Sequence, residues 1–181
     1  IGTEIREELG IIRTQELLAA RRTDGGTQYF TRANDFGYSK TPEETLEIWD
    51  KEKILGDVVW VIRKFRPDVI VCRFPTDGGG GHGHHTASAL LAKEAFGIAG
   101  DATKYPEQLK YVDVWQPVRV VVNTGRWWND SISADDHGVV AIDIGKYNAV
   151  LGTSYNELAA RSRSQHKSQG FGTTGTRGEQ L

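Results

Sequence analysis

Three of the chain's five histidines, His82, His84 and His85, fall within four positions at the end of a glycine-rich loop, Thr76-Asp77-Gly78-Gly79-Gly80-Gly81-His82-Gly83. Imidazole can ligate a metal, carry a proton near neutral pH, or donate a hydrogen bond to developing negative charge. If the backbone turns helical from His82, then His82 and His85 stand three apart on one face while His84 points elsewhere. Two imidazoles converging in a glycine-lined crevice suit a metal ligand and a polarising partner. The plainer reading is a set of solvated loop histidines behind a flexible stretch. A metal site is incomplete on this loop in any case, since a catalytic zinc usually takes three protein ligands and the loop offers one or two. Phosphate binding competes, because Gly78-x-Gly80-x-x-Gly83 formally satisfies the dinucleotide fingerprint. That fingerprint also needs an acid about twenty residues on, at the end of the next strand. Here the distance falls at 101–104, ahead of Tyr105-Pro106-Glu107-Gln108, which has no strand character.

The elements that must position this loop are legible around it. Upstream, 9–22 reads as a helix ending in Arg21 and Arg22 with Asp24-Gly25-Gly26 as its stop. Thr41-Pro42-Glu43-Glu44 combines a first-turn Pro with a Thr-x-x-Glu capping box. Leu55, Val58, Val59, Ile62 and Phe65 then continue at helical spacing. Pro67 stops this helix at Arg66. The run Asp68-Val69-Ile70-Val71-Cys72-Arg73 suits a strand buried on both faces. After the loop, 85–99 is a helix with Ala87, Leu90, Leu91 and Ala95 in one stripe. Strands are expected at 118–122 and 139–142, and a last helix from the capping box Ser154-Tyr155-Asn156-Glu157 to about His166. Helices alternating with short apolar strands predict an α/β fold with a mostly parallel sheet, in which ligands bind outside the carboxyl ends of the strands, where 74–85 lies. The segment 124–138 reads as a surface loop, and the tail after Gly170 as extended.

With 181 residues the chain suits one domain. Lys plus Arg at 22 against Asp plus Glu at 24 leaves a net charge of −2, which disfavours nucleic acid or an anionic membrane as partner. No apolar run approaches the length that spans a bilayer. The single Cys72 reads as a small buried hydrophobe. The absence of Met and the start at Ile1 predict an incompletely represented gene product.

Gly81-His82-Gly83-His84-His85-Thr86-Ala87-Ser88, behind Arg66-Pro67-Asp68-Val69-Ile70-Val71, resembles the second motif, H-P-D-H, of the PIG-L (LmbE-like) zinc-dependent N-deacetylases. Arg13-Thr14-Gln15-Glu16-Leu17 with Ala20 is similar to the family's R-x-x-E-L-x-x-A helix, and His166-Lys167-Ser168-Gln169 to its H-x-S-Q element. The long form of that last element resembles a bacterial subgroup in which this domain opens a larger protein, implying further C-terminal domains.

The resemblance implies a Rossmann-like three-layer α/β fold over 1–170, followed by a tail at 171–181. It implies His85 as a zinc ligand, His82 as the imidazole that stabilises the oxyanion, and Arg13 and Asp35 as substrate contacts. The implied cofactor is Zn2+, and the implied activity is removal of the acetyl group from an N-acetylated amino sugar or its conjugate. Plainer readings stand beside these: an exposed Arg13–Glu16 helix pair, a turn aspartate in Asp35-Phe36-Gly37, and His166 capping the last helix. Trp127 and Trp128 could stack on a sugar or simply pack. The chain departs from the family in three places. The first motif, A-H-P-D-D-E, with the remaining zinc ligands and the general base, is absent and would belong with the first strand upstream of Ile1. His84 stands where the family carries Asp, which could lower metal affinity. Gly80 stands where some members carry an aromatic. These departures leave open a non-catalytic protein of the same fold that binds a glycan or a partner domain.

Overall fold

The computed structural model describes residues 6–125, 129–169 and 171–173. Trp127 and Trp128, and all but the first residues of the expected tail, lie outside the described residues. The chain divides into two units, residues 29–124 and residues 1–28 with 125–181.

The continuous unit holds α2 (Pro42–Trp49), α3 (Lys51–Phe65), β1 (Val69–Cys72), α4 (Gly83–Ile98), a 3-10 turn (Pro106–Lys110) and β2 (Arg119–Val122). One helix was expected across 42–66, but two are present. Asp50 breaks the run in the left-handed region, at φ 59 and ψ 85. Its N–H returns to the Glu47 carbonyl, and its own carbonyl accepts from Lys53 and Ile54 to open α3. Asp is among the few side chains that tolerate this conformation, so apolar periodicity gives no warning of it. Thr41 caps α2 by accepting the Glu44 N–H, whereas the Glu44 carboxylate leaves the expected box and takes the Ser39 hydroxyl and the Lys40 N–H.

The core forms where Ile54, Leu55, Val59 and Ile62 of α3 meet Leu91 and Ala95 of α4 and Ala99 just beyond it. Alanines on α4 let the two helices approach closely. Arg63, only 1% exposed, ends the α3 side of this core. Its guanidinium donates to the carbonyls of Ala99, Asp101, Lys104 and Tyr105 and to Gln108 Oε1. Burial pulls its pKa down from the ordinary arginine value.

Strands β1 and β2 pair in parallel, Val69 opposite Arg119 through Cys72 opposite Val122. The strand expected to be buried on both faces is not. Val71 is 64% exposed while Cys72 is buried, the alternation of a strand covered on one side. Burial pushes the Cys72 thiol pKa up, which leaves it a packing residue.

In the other unit, described by itself, α1 (Arg6–Asp24) packs with α5 (Tyr155–Arg163), next to a short antiparallel pair, β3 (Tyr147–Asn148) with β4 (Thr153–Ser154). The capping box at Ser154 forms in full, with Ser154 and Glu157 bonding each other's backbone amides. The strand expected at 139–142 does not form. Val140 and Ile142 are exposed, and no ladder along these residues stabilises a strand. Among the described residues the architecture is mixed α/β, with five α-helices and a small parallel sheet. None of these helices is long and apolar enough to cross a membrane.

Candidate functional site

The histidine loop follows β1 and feeds α4, at the carboxyl end of a parallel strand as expected. Its shape comes from commitments of its own backbone. Gly78 and Gly81 take φ of +89° and +68°, conformations that side chains rarely adopt. The Gly79 amide donates to Asp77 Oδ1, the Gly81 amide to the Gly78 carbonyl, and the Gly83 amide to the Ser39 carbonyl. The next amides, of His84, His85 and Thr86, turn to His82. These glycine and helix-start amides are satisfied internally, and a carboxylate sits among them, so the loop is not a free phosphate cradle.

Gly83 is buried against the segment before α2. A Cβ there would overlap the Thr41 carbonyl oxygen and the Ser39 hydroxyl. Ser39, itself fully buried, donates to Glu44 and accepts from Thr45, so the contact surface is fixed from behind.

His82 is the N-cap of α4, extended at φ −143 and ψ 136. Its Nδ1 accepts the His84 backbone N–H at 3.2 Å, and the His84 ring Nδ1 lies 3.0 Å from the same atom. The expectation that His84 points elsewhere is corrected by this geometry. Because His82 is extended and not helical, its ring folds over the first turn and meets His84, with centroids 4.6 Å apart. The expected neighbour His85 is also present, at 5.1 Å. The His85 Nδ1 lies 2.9 Å from the Gly80 carbonyl, so it carries the proton and Nε2 keeps its lone pair. A backbone carbonyl on one imidazole nitrogen, with the other free to coordinate, is the usual arrangement around a metal-ligating histidine. His85 therefore fits as one zinc ligand. Among the described residues no three His, Cys, Asp or Glu side chains gather to hold a metal.

Aromatic rings enclose the three imidazoles. Phe74 stacks on His85 at 3.8 Å, with planes 5° apart. Tyr38 stands edge-on to His82 at 4.6 Å and donates its hydroxyl to the Gly81 carbonyl. Phe36 and Trp49 pack on His84 at 4.5 and 5.0 Å. Burial, then His82, lowers the His84 pKa from its ordinary value, against an opposing pull from Asp35. Gly80 has a local reason to be glycine, since a Cβ there would come within 3.0 Å of the His85 Cβ. Sequence reading missed these rings. The one available signal was the pair Phe36 and Tyr38 flanking the Asp35-x-Gly37 turn, whose Asp35 Oδ1 accepts the Gly37 amide.

Arg13 and His166 belong to the other unit and are described within it. Arg13 Nε lies 3.5 Å from Glu16 Oε2. The pair is not the exposed one considered from sequence, because Glu16 is buried and accepts both the amide and the hydroxyl of Ser168. The R-x-x-E helix and the H-x-S-Q element thus clasp each other through Glu16 and Ser168. Burial raises the Glu16 pKa, but Ser168, Arg13 and His166 together outweigh it and hold the carboxyl below its usual value. The buried Nδ1 of His166 has no hydrogen-bond partner among the described residues.

Residues 2–96 match the PIG-L family, GlcNAc-PI de-N-acetylase, and the chain belongs to that family. Its mixed α/β architecture is consistent with the LmbE-like fold. The chain is also similar to mycothiol S-conjugate amidase of Streptomyces coelicolor, 32% identical over 127 residues, covering 67% of this chain. It spans 43% of that relative's length.

Proposed function

We propose that this chain contributes to a zinc-dependent hydrolase that cleaves an amide of an amino-sugar substrate, releasing acetate from an N-acetylated amino sugar or its conjugate. The observation that carries the reading is the pair of imidazoles 5.1 Å apart, one with a free Nε2 lone pair and one with its Nδ1 occupied as an acceptor. His85, held through Gly80 and stacked on Phe74, would be a zinc ligand. Zinc, when bound, supplies Lewis-acid polarisation and a water activated near neutral pH. His82 donates an N–H to the oxygen of the amide as negative charge develops there. Asp35, already fixed by its turn, offers its second oxygen to a sugar hydroxyl. For Arg13 a substrate contact rests on the motif resemblance alone. The similarity to an amidase acting on a thiol S-conjugate supports amide cleavage and makes such conjugates the second substrate class to assay.

The test is made on the natural protein, by metal analysis together with assays of acetate and amine release. His85→Ala should lose zinc, whereas His82→Ala should keep zinc and lose about 100- to 1000-fold in kcat. Activity that survives both changes would overturn the proposal. An inactive protein that still binds N-acetylglucosamine would favour the binding role left open by the His84 and first-motif departures.

A further inference from the structure

We propose that the outer face of α3 carries a carbohydrate-binding cleft, separate from the histidine site, that takes a neutral pyranose of an oligosaccharide. The cleft measures about 470 Å³, within the range of small-molecule sites, and lies wholly in the continuous unit. It shares no residue with the histidine loop or with the rings packed on it.

Helix geometry makes one wall. Ile54, Leu55, Val59 and Ile62 turn to the core, which leaves Asp57, Trp60 and Val61, three and four positions apart, together on the other side of α3. The facing wall is the segment 29–32, which has no regular secondary structure and is pinned across the helix by Asp57. That carboxylate accepts the Arg32 backbone amide at 2.9 Å and its side-chain Nε and Nη2 at 2.9 and 2.7 Å. Two of the rings in the cleft are braced from outside it. Tyr111 stands against Trp60 with centroids 6.0 Å apart, and Phe65 against Tyr29 at 6.1 Å. Phe30, 56% exposed, completes the aromatic lining.

The chemistry of the lining selects the ligand. Contiguous exposed rings with polar groups among them mark a binding surface rather than scattered surface apolar residues. Arg32 and Asp57 cancel each other's charge, so the cleft has no net charge with which to attract an ion. It offers aromatic faces to C–H groups and hydrogen-bond donors beside them. Arg32 Nη1 has no acceptor among the described residues, and the Thr31 hydroxyl, which accepts the Ala33 amide, keeps its own proton to donate. A neutral pyranose has the matching double character, with C–H groups on its faces and hydroxyls around its rim. The ion pair already fixes the Arg32 side chain, so little of its freedom is lost on binding.

Saturation-transfer NMR on the full 181-residue chain tests the cleft with cellobiose, maltose and lactose. These neutral disaccharides carry no amide, so none is a substrate of the proposed hydrolysis. At least one should receive saturation, strongest at the C–H protons of one ring face. Trp60→Ala should abolish the transfer, and Phe30→Ser should weaken affinity about 3- to 10-fold. Phe30 is exposed, so its variant keeps the fold and decides the matter if Trp60→Ala does not fold. His82→Ala, which disables the proposed hydrolysis, should leave the transfer unchanged. No transfer to any of the three sugars overturns the proposal, as does transfer that keeps its full affinity in Phe30→Ser or is lost in His82→Ala. A dimer in sedimentation that Phe30→Ser dissociates gives the face to a second copy of the chain and overturns it as well. A chain that binds sugar through Trp60 and hydrolyses nothing sinks the proposed function and leaves this cleft intact.

Discussion

Arg63 shows how a single side chain can hold a unit together without any ion pair. Its five hydrogen bonds all go to neutral acceptors, so the positive charge is stabilised by carbonyl dipoles at the end of α4 and in the turns after it. Removing it strands those carbonyls in the interior. Arg63→Ala is expected to destabilise the fold by about 3 kcal/mol or more, read as a lower urea midpoint at unchanged slope. Arg63→Lys should recover only part, since a lysine cannot span five acceptors. At the same scale, Gly83→Ala must displace Thr41 and Ser39, and the expected cost is about 1–3 kcal/mol by the same measurement. Neither effect was legible beforehand. Arg63 reads as the basic last turn of a helix, and Gly83 as one more glycine in a flexible run, because the backbone that each one meets comes from distant sequence.

Elements were legible where their signals are local. The capping box at Ser154 and the stop before Pro67 are chemistry between near neighbours, and both are present. Ser154→Ala should cost about 1 kcal/mol, visible in the thermal midpoint. The break at Asp50 and the missing strand at 139–142 were not legible, since one is a backbone excursion that apolar spacing cannot register and the other depends on whether a partner strand exists. The clasp between α1 and the H-x-S-Q element adds a pH dependence. The folded Glu16 carboxyl titrates below its unfolded value, so its stabilisation is present above the ordinary glutamate pKa and is lost as pH falls through the lowered folded value. Thermal midpoints measured from neutral to acid pH should fall less steeply for Glu16→Gln than for the unsubstituted chain.

At the scale of the molecule, the candidate site was half legible. The His82 to His85 spacing could be read directly, because both residues sit on one turn. The aromatic contacts could not, since Phe36, Tyr38 and Trp49 precede the histidines by more than thirty positions and reach them only through the fold. The metal chemistry has a whole-molecule consequence as well. With His85 as the one ligand proposed and no group of three among the described residues, the 181-residue chain is expected to bind zinc weakly. Titration calorimetry that gave tight binding by this chain would contradict that expectation.

The clasp between Glu16 and Ser168 joins residues 152 positions apart and so bears on the order of synthesis. At ordinary translation rates the helix carrying Glu16 leaves the ribosome roughly 8–30 s before its partner. The residues of the continuous unit, 29–124, emerge in that interval with both helices of their core in hand. The order of emergence lets the histidine loop be seated on Ser39 and Thr41 while α1 still waits for α5, so the candidate site can take shape before the α1 clasp closes.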